Sequence, residues 1–168
     1  MNVMPQNDKA LLSRLKEQKV EFVIIGGVCG VLHGASLVTL DLDICCRFNR
    51  ENLRRIAAAV EDLHPRHRLT ACKLPLELTD ELCRSLKNIY LNTDLGILDC
   101  LSEVSGIGNY EQVLQRSVAH TLSYGEFRML NLDALIASKS AAGREKDLDA
   151  VRLFQAIKEK RKQQKELF

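Results

Sequence analysis

The chain has 168 residues, a formal net charge of +2, 46% apolar residues and 27% charged residues. That length fits one domain, residues 1–168, and the apolar share is enough for a packed core, which excludes a disordered or fibrous chain. A net charge this close to neutral argues for no nucleic-acid partner by itself. Residues 158–165, KEKRKQQK, do gather five bases and one acid, and they read first as a solvated helix end.

The N-terminal stretch MNVMPQNDKALL lacks a basic segment followed by an apolar one, so no secretory leader is expected. No apolar run approaches the roughly 18 residues of a membrane span. The six cysteines, Cys29, Cys45, Cys46, Cys72, Cys83 and Cys100, fall partly inside apolar runs and form no C-x-x-C pair. They read as small hydrophobes rather than disulfides or zinc ligands, and the expected location is the cytoplasm.

Asn7 is placed to cap a first helix through about Lys16, with Leu11, Leu12 and Leu15 at helical spacing. A strand from Val20 to Ile25 ends at Gly26-Gly27, and a short helix from Val28 to His33 stops at Gly34. A second strand is expected from about Leu37 to Cys46, then a helix from Glu51 to Leu63 capped by Asn49. His64 to Leu78, with Pro65 and Pro75, reads as a loop and an irregular strand, and Thr79 or Asp80 caps a short helix to about Leu86.

Asn88–Thr93 and Leu95–Leu101 read as two strands around a tight turn, followed by a loop over Ser105–Asn109 and a helical turn from Tyr110 to Arg116. Tyr124-Gly125 marks a hairpin between Val118–Ser123 and Glu126–Leu130. Asn131 caps a helix that Gly143 ends, and a last helix runs from about Lys146 into the tail. The order predicts an α/β (α+β) architecture: a small mixed sheet with flanking helices and a C-terminal helical extension, with its core at about 18–155 and its tail at about 156–168.

Asp41 and Asp43 stand two apart on an apolar strand, so their side chains leave the same face ~7 Å apart. Such a pair needs either solvent or a cation. Asp99 interrupts another apolar strand. If the two strands are neighbours, three oxygen ligands meet, a set suited to a hard cation such as Mg²⁺. Gly26-Gly27 lies between a strand and a helix just before the carboxylate strand, where backbone can come close to a phosphate.

The run Val23-Ile24-Ile25-Gly26-Gly27, thirteen residues, then Asp41-Leu42-Asp43-Ile44 resembles the signature of the polymerase-β-like nucleotidyltransferase superfamily. His33-Gly34 with Thr39-Leu40-Asp41-Leu42-Asp43 resembles its minimal bacterial members, including the abortive-infection toxin branch. The same is true of Leu98-Asp99-Cys100-Leu101, of Gly106-Ile107-Gly108-Asn109-Tyr110, and of Leu130 to Lys139 followed by Ala142 to Leu148. The similarity spans roughly residues 18–155.

The resemblance implies the nucleotidyltransferase fold. It also implies metal-dependent transfer of a nucleoside monophosphate from an NTP, such as ATP, to a hydroxyl. Asp41, Asp43 and Asp99 would be catalytic and would hold the metal, two Mg²⁺ ions during turnover with Mn²⁺ as an alternative. Gly26, Gly27, Thr39, Lys139, Arg144 and Lys146 would bind the nucleotide. Against this, the three basic residues also read as a solvated helix junction, with Lys146 paired locally to Asp147 or Asp149, and Thr39 as a strand position. Leu37 stands where many relatives carry a basic residue.

The acceptor implied is tRNA, a protein or a small hydroxylated molecule, and the toxin-like branch implies a cognate antitoxin. Two other readings stay open, a nucleotide- or partner-binding module of little turnover and a regulatory subunit.

Overall fold

The computed structural model of the chain describes residues 6–167. The first helix, α1 (Asp8–Glu17), starts at Asn7, whose side-chain oxygen accepts the Ala10 N–H at 3.0 Å. Strand β1 (Phe22–Ile24) leads into α2 (Gly26–Leu32), then β2 (Asp41–Cys46) and α3 (Arg50–Val60). After a 3-10 turn (Glu61–Leu63) come β3 (Arg66–His67), α4 (Asp80–Ser85), β4 (Asn88–Thr93) and β5 (Gly96–Leu101). A two-residue ladder of β6 (Glu103–Val104) and β7 (Gly108–Asn109) precedes α5 (Tyr110–Gln115). The hairpin β8 (Ser117–Leu122) and β9 (Gly125–Leu130) and the helices α6 (Leu132–Ala142) and α7 (Glu145–Glu166) complete the fold.

The seven longer and outer strands form one sheet in the order β3-β4-β5-β2-β1-β9-β8. Its centre is mixed: β2 runs parallel to β5 and antiparallel to β1, which in turn runs parallel to β9. Side chains alternate across each strand. Leu42 and Ile44 of β2, Leu98 and Cys100 of β5, and Ile89 and Leu91 of β4 share one face and are essentially fully buried. Leu11, Leu12 and Leu15 of α1 and Leu53 and Ile56 of α3 are equally buried and belong to the same core. The opposite face carries Asp41, Asp43, Asp99, Tyr90 and Asn92, of which only Asp99 is fully buried.

Three of the differences from the sequence expectation matter most. The second strand starts at Asp41 rather than Leu37, because its ladder to β5 begins at the Asp41–Ile97 pair and its ladder to β1 reaches only Ile44. With no partner to pair with, 37–40 leave the sheet; Leu37 packs beside Gly30, while Val38 is 91% exposed. The helix expected from Val28 begins at Gly26, so the glycine pair is its first turn. The loop over 105–109 contributes one strand of the small β6–β7 ladder, too short for any period to show. All six cysteines are free thiols, and only Cys72 is exposed. No helix among the described residues is long and apolar enough to cross a membrane.

Asn52 locks the central strands together. It is fully buried on α3, accepts the Glu21 N–H at 2.7 Å, and donates to the Glu21 carbonyl at 3.0 Å and the Arg47 carbonyl at 2.9 Å. Glu21 precedes β1 and Arg47 follows β2, so one amide ties the ends of both strands. Asn52→Ala takes this partner from the Glu21 N–H and the Arg47 carbonyl, while the Glu21 carbonyl keeps the Arg47 N–H at 3.2 Å, and we expect it to cost about 2–4 kcal/mol of stability, read as a lower urea midpoint with an unchanged m-value.

Candidate active site

The parallel ladder between β2 and β5 places Asp43 directly opposite Asp99, with Asp41 one pleat away on the same face. Carboxylate oxygens of the three residues all lie within 4.8 Å of one another. Three acids that close, half-withdrawn from water, repel strongly. The Asp43 carboxyl is pushed up to about 7, first by burial and then by the negative charges of Asp41 and Asp99, which the Lys139 and Arg68 charges only partly offset. Hard oxygen donors with unbalanced negative charge are the donor chemistry a divalent cation fits. The set expected from the sequence therefore does converge.

The glycine pair lies against this cluster. Gly26 has φ +66°, and a Cβ there would sit 2.9 Å from Asp43 Cβ and overlap the Asp43 carboxylate. A Cβ on Gly27 would meet Thr39 Cγ2 at 2.9 Å. Backbone, Thr39 and Asp43 thus share one narrow space that any side chain at these positions would fill. The N–H groups of the first turn of α2 have no partner within the helix and open beside it. Gly30 serves another purpose: a Cβ there would meet Phe154 Cε1 at 2.6 Å, so it is the notch in which α7 docks on α2.

Of the three basic residues expected at the nucleotide, two come near the carboxylates. Lys139 contributes to the field at Asp43, and Arg144 lies in the field of Asp43 and Asp41. Lys146 does not join them; it is exposed, and no ion pair or hydrogen bond ties it to the cluster. Its expected local partners are taken, Asp149 by Arg152 and Asp147 by Lys139 and Arg144.

Two residues of this region were not singled out from the sequence. Asp147, 1% exposed, accepts from Lys139 Nζ at 3.1 Å and from Arg144 Nε at 2.6 Å. Burial opposes its charge, but the bonds from Arg144 and Lys139 outweigh that and hold its carboxyl below the usual range. It joins the C-terminal half of α6 to the start of α7 and fixes where both cations stand.

Arg68 donates from Nε to Asp99 Oδ1 at 3.0 Å and from Nη2 to Asp99 Oδ2, with its guanidinium 5.4 Å from the centroid of the Tyr90 ring. Burial raises the Asp99 carboxyl, Arg68 pulls it back, and it remains above its ordinary value. Asp147 was legible as an acid in a helical pattern but not as a buried one. Arg68 sits in the stretch where periodicity fails, and only the ladder beside Tyr90, through its N–H to the Tyr90 carbonyl at 3.0 Å, brings it to Asp99.

A carboxylate whose folded value is raised binds its proton more tightly in the native state than in the unfolded chain. The Asp43 contribution to the stability of the cation-free protein is therefore lost as pH rises from 3.8 to about 7. Asp43→Asn removes that charge. We expect the variant to melt several degrees above the unsubstituted protein at pH 8 without divalent cations, and the difference to shrink toward pH 4. Added Mg²⁺ should raise the melting temperature of the unsubstituted protein at pH 8 and leave that of the variant in place.

No protein-family model and no curated protein sequence matches the chain. Solved structures do. The chain aligns with the lincosamide antibiotic adenylyltransferase LnuA, solved with lincomycin bound, at 16% identity and a TM-score of 0.60 over 90% of this chain and 98% of that one. It aligns with ANT(2")-Ia, solved with adenylyl-2"-tobramycin, at 16% identity and a TM-score of 0.55 over 86% of this chain and 83% of that one. Likeness at this identity is likeness of fold, and the architecture shared with these structures is the nucleotidyltransferase fold.

Proposed function

We propose that the chain is a metal-dependent nucleotidyltransferase that moves a nucleoside monophosphate from an NTP to a hydroxyl and releases pyrophosphate. The observation that carries this reading is the convergence of Asp41, Asp43 and Asp99 against the glycine turn that opens α2. Mg²⁺, as two ions during turnover and with Mn²⁺ as an alternative, would be held by these three carboxylates and would supply Lewis-acid charge to both ends of an in-line displacement.

The chain's own residues divide the remaining work. Gly26 and Gly27 admit the triphosphate to within reach of backbone N–H groups, with Thr39 at the edge of the same space. Lys139 and Arg144, held by Asp147, offset the charge that develops on the phosphate oxygens. Lys146 is left for solvent or for a more distant part of the nucleotide. Asp99 orients the acceptor hydroxyl and takes its proton as the oxygen bonds to the α-phosphorus and the bond to the bridging oxygen breaks, the pyrophosphate leaving with that electron pair. Arg68 must release at least one Asp99 oxygen for this.

Both aligned structures hold small antibiotic-derived molecules, which supports a small hydroxylated acceptor for this chain. An acceptor tRNA or protein, with a cognate antitoxin, is the competing choice. Growth arrest on expression, relieved by a partner protein, would favour it. A second reading, a nucleotide- or partner-binding module of little turnover, is favoured by one observation: Arg68 occupies both Asp99 oxygens. Tight NTP binding with no turnover on any acceptor would support that module.

The test is incubation with each α-labelled NTP, Mg²⁺, total RNA, cell protein and a panel of small hydroxylated compounds. We expect label to move onto an acceptor with the intact protein and not with Asp43→Ala. Equal transfer by that variant would remove the carboxylate site from the reaction. In the same assay, Asp147→Asn should raise the KM for the nucleotide about tenfold with a smaller effect on kcat, because Lys139 and Arg144 lose their anchor. A change confined to the melting temperature would limit Asp147 to packing.

A further inference from the structure

Helix α7 is fastened to α2 at two points. Phe154 fills the notch left by Gly30, and about two turns further along α7 Arg161 reaches His33, the residue that ends α2. Arg161 Nη2 donates to the His33 carbonyl at 2.9 Å, a group that the end of α2 leaves without a helical partner. Arg161 Nη1 stands 3.4 Å from His33 Nδ1. The other ring nitrogen, Nε2, lies 2.7 Å from the Leu130 carbonyl on β9. His33 is 5% exposed, so water is largely kept from both contacts.

These contacts admit one protonation state. A carbonyl only accepts, so Nε2 carries the hydrogen. A guanidinium only donates, so Nδ1 presents its lone pair. The imidazole is therefore neutral, with its proton on Nε2. A second proton, at Nδ1, would turn the acceptor into a donor facing a donor. It would also set two positive charges 3.4 Å apart away from water.

Among the described residues no carboxylate bonds to the ring or adds to its field. From β8 comes His120, whose charge opposes the protonated form. From α2 comes the Cys29 thiol, which shares the Leu130 carbonyl at 3.4 Å; burial pushes it up to about 12, so it stays uncharged. On α7 the charges nearest Arg161 in sequence are Lys158, Glu159, Lys160, Lys162 and Lys165, all exposed, and Lys158 takes Asp133 of α6 at 2.7 Å. Burial pulls the imidazole below its ordinary value, the bond to Leu130 resists, and Arg161 and His120 add to the pull.

We propose that His33 and Arg161 form a pH-operated latch: the neutral imidazole holds the C-terminal half of α7 on α2, and its protonation releases that half together with the basic run 158–165. Residues 158–167 are exposed, so beyond the partly buried Ile157 no packed side chain holds the helix end once Arg161 lets go. Helix α2 then keeps Phe154 in its notch but loses the clamp at its C-terminal end, while its first turn is the glycine pair beside the carboxylates. On the transferase reading, nucleotide affinity falls as the latch opens; the latch itself does not depend on that reading.

A histidine whose folded value is lowered adds stability above its ordinary 6.5, and that stability is lost as pH falls. Asp43 acts in the opposite sense over an overlapping range, so the melting temperature does not isolate the latch and a local measurement does. The experiment is hydrogen–deuterium exchange on the full chain at pH 8 and pH 5, corrected for the intrinsic pH dependence of amide exchange. We expect the amides of 155–161 to exchange about tenfold faster at pH 5 while those of α3 do not. His33→Gln, whose amide can still donate to Leu130 but cannot take a charge, should abolish the difference. Arg161→Gln should give fast exchange at both values. In the unsubstituted protein, nitrogen NMR of the ring at pH 8 should show the proton on Nε2.

Equal exchange at the two pH values, the same pH response in His33→Gln, a ring proton on Nδ1, or acceleration of α3 as large as that of α7 would each overturn the proposal. The labelled-NTP assay keeps the two readings apart. A pH-dependent release that requires His33, in a protein that transfers no label, supports the latch and refutes the transferase. Transfer by a protein whose α7 ignores pH does the reverse.

Discussion

Like charge pressed together by strand pairing is the constraint around which this molecule is organised. The β2–β5 ladder sets Asp43 against Asp99, with Asp41 one pleat away, and no choice of rotamer can take three carboxylates on one face of two paired strands far apart. Much of the surrounding structure answers that repulsion. Arg68 reaches across Tyr90 to Asp99, Lys139 is held in the field of Asp43 by a buried acid, and Asn52 keeps the ends of β1 and β2 from parting. Charge of this kind is costly in a protein unless a ligand uses it.

The site is assembled in two halves on one sheet face. The half beyond β2 belongs to backbone and cations: the glycine turn of α2, Thr39, and the Asp147-anchored pair at the α6–α7 junction. The half beyond β5 holds Arg68, bonded to both Asp99 oxygens beside the Tyr90 ring, and the polar side chains and Glu103 around the β6–β7 turn. Cations stand on both sides of the carboxylates, Lys139 and Arg144 on one and Arg68 on the other.

Most of the fold was legible in the sequence because its elements carry their own punctuation. Asn7, Asn49, Thr79, Asn109 and Asn131 each cap a helix through a side-chain oxygen, and Gly143 closes α6 at φ +68°. The carboxylates and glycines were legible for the same reason: each breaks an apolar run where an ordinary core residue would serve. What stayed hidden depends on contact. Leu37–Leu40 has strand-like composition but no strand beside it, and this is decided by where β5 starts. Arg68 lies where periodicity gives out, and its importance comes from a neighbouring strand. Asp147 looks like any acid on a charged helix until the fold buries it beneath two cations. Lys146, one residue earlier, was grouped with Lys139 and Arg144, and helix geometry turns it outward.

The same strand pairing bears on how the chain reaches its native state. β2 and β5 are parallel, so a long intervening stretch, including α3 and the irregular 64–78 region, must be looped out before Asp43 and Asp99 can meet. That closure carries an entropic cost and in addition brings together groups that repel, so the long-range step of folding is also the electrostatically uphill one. Neutralising these acids, by protons or by a divalent ion, removes part of the barrier to chain collapse around the central sheet. The three acids that the β2–β5 pairing brings together therefore weigh on closure of the central sheet, and protons or divalent ions lighten that load.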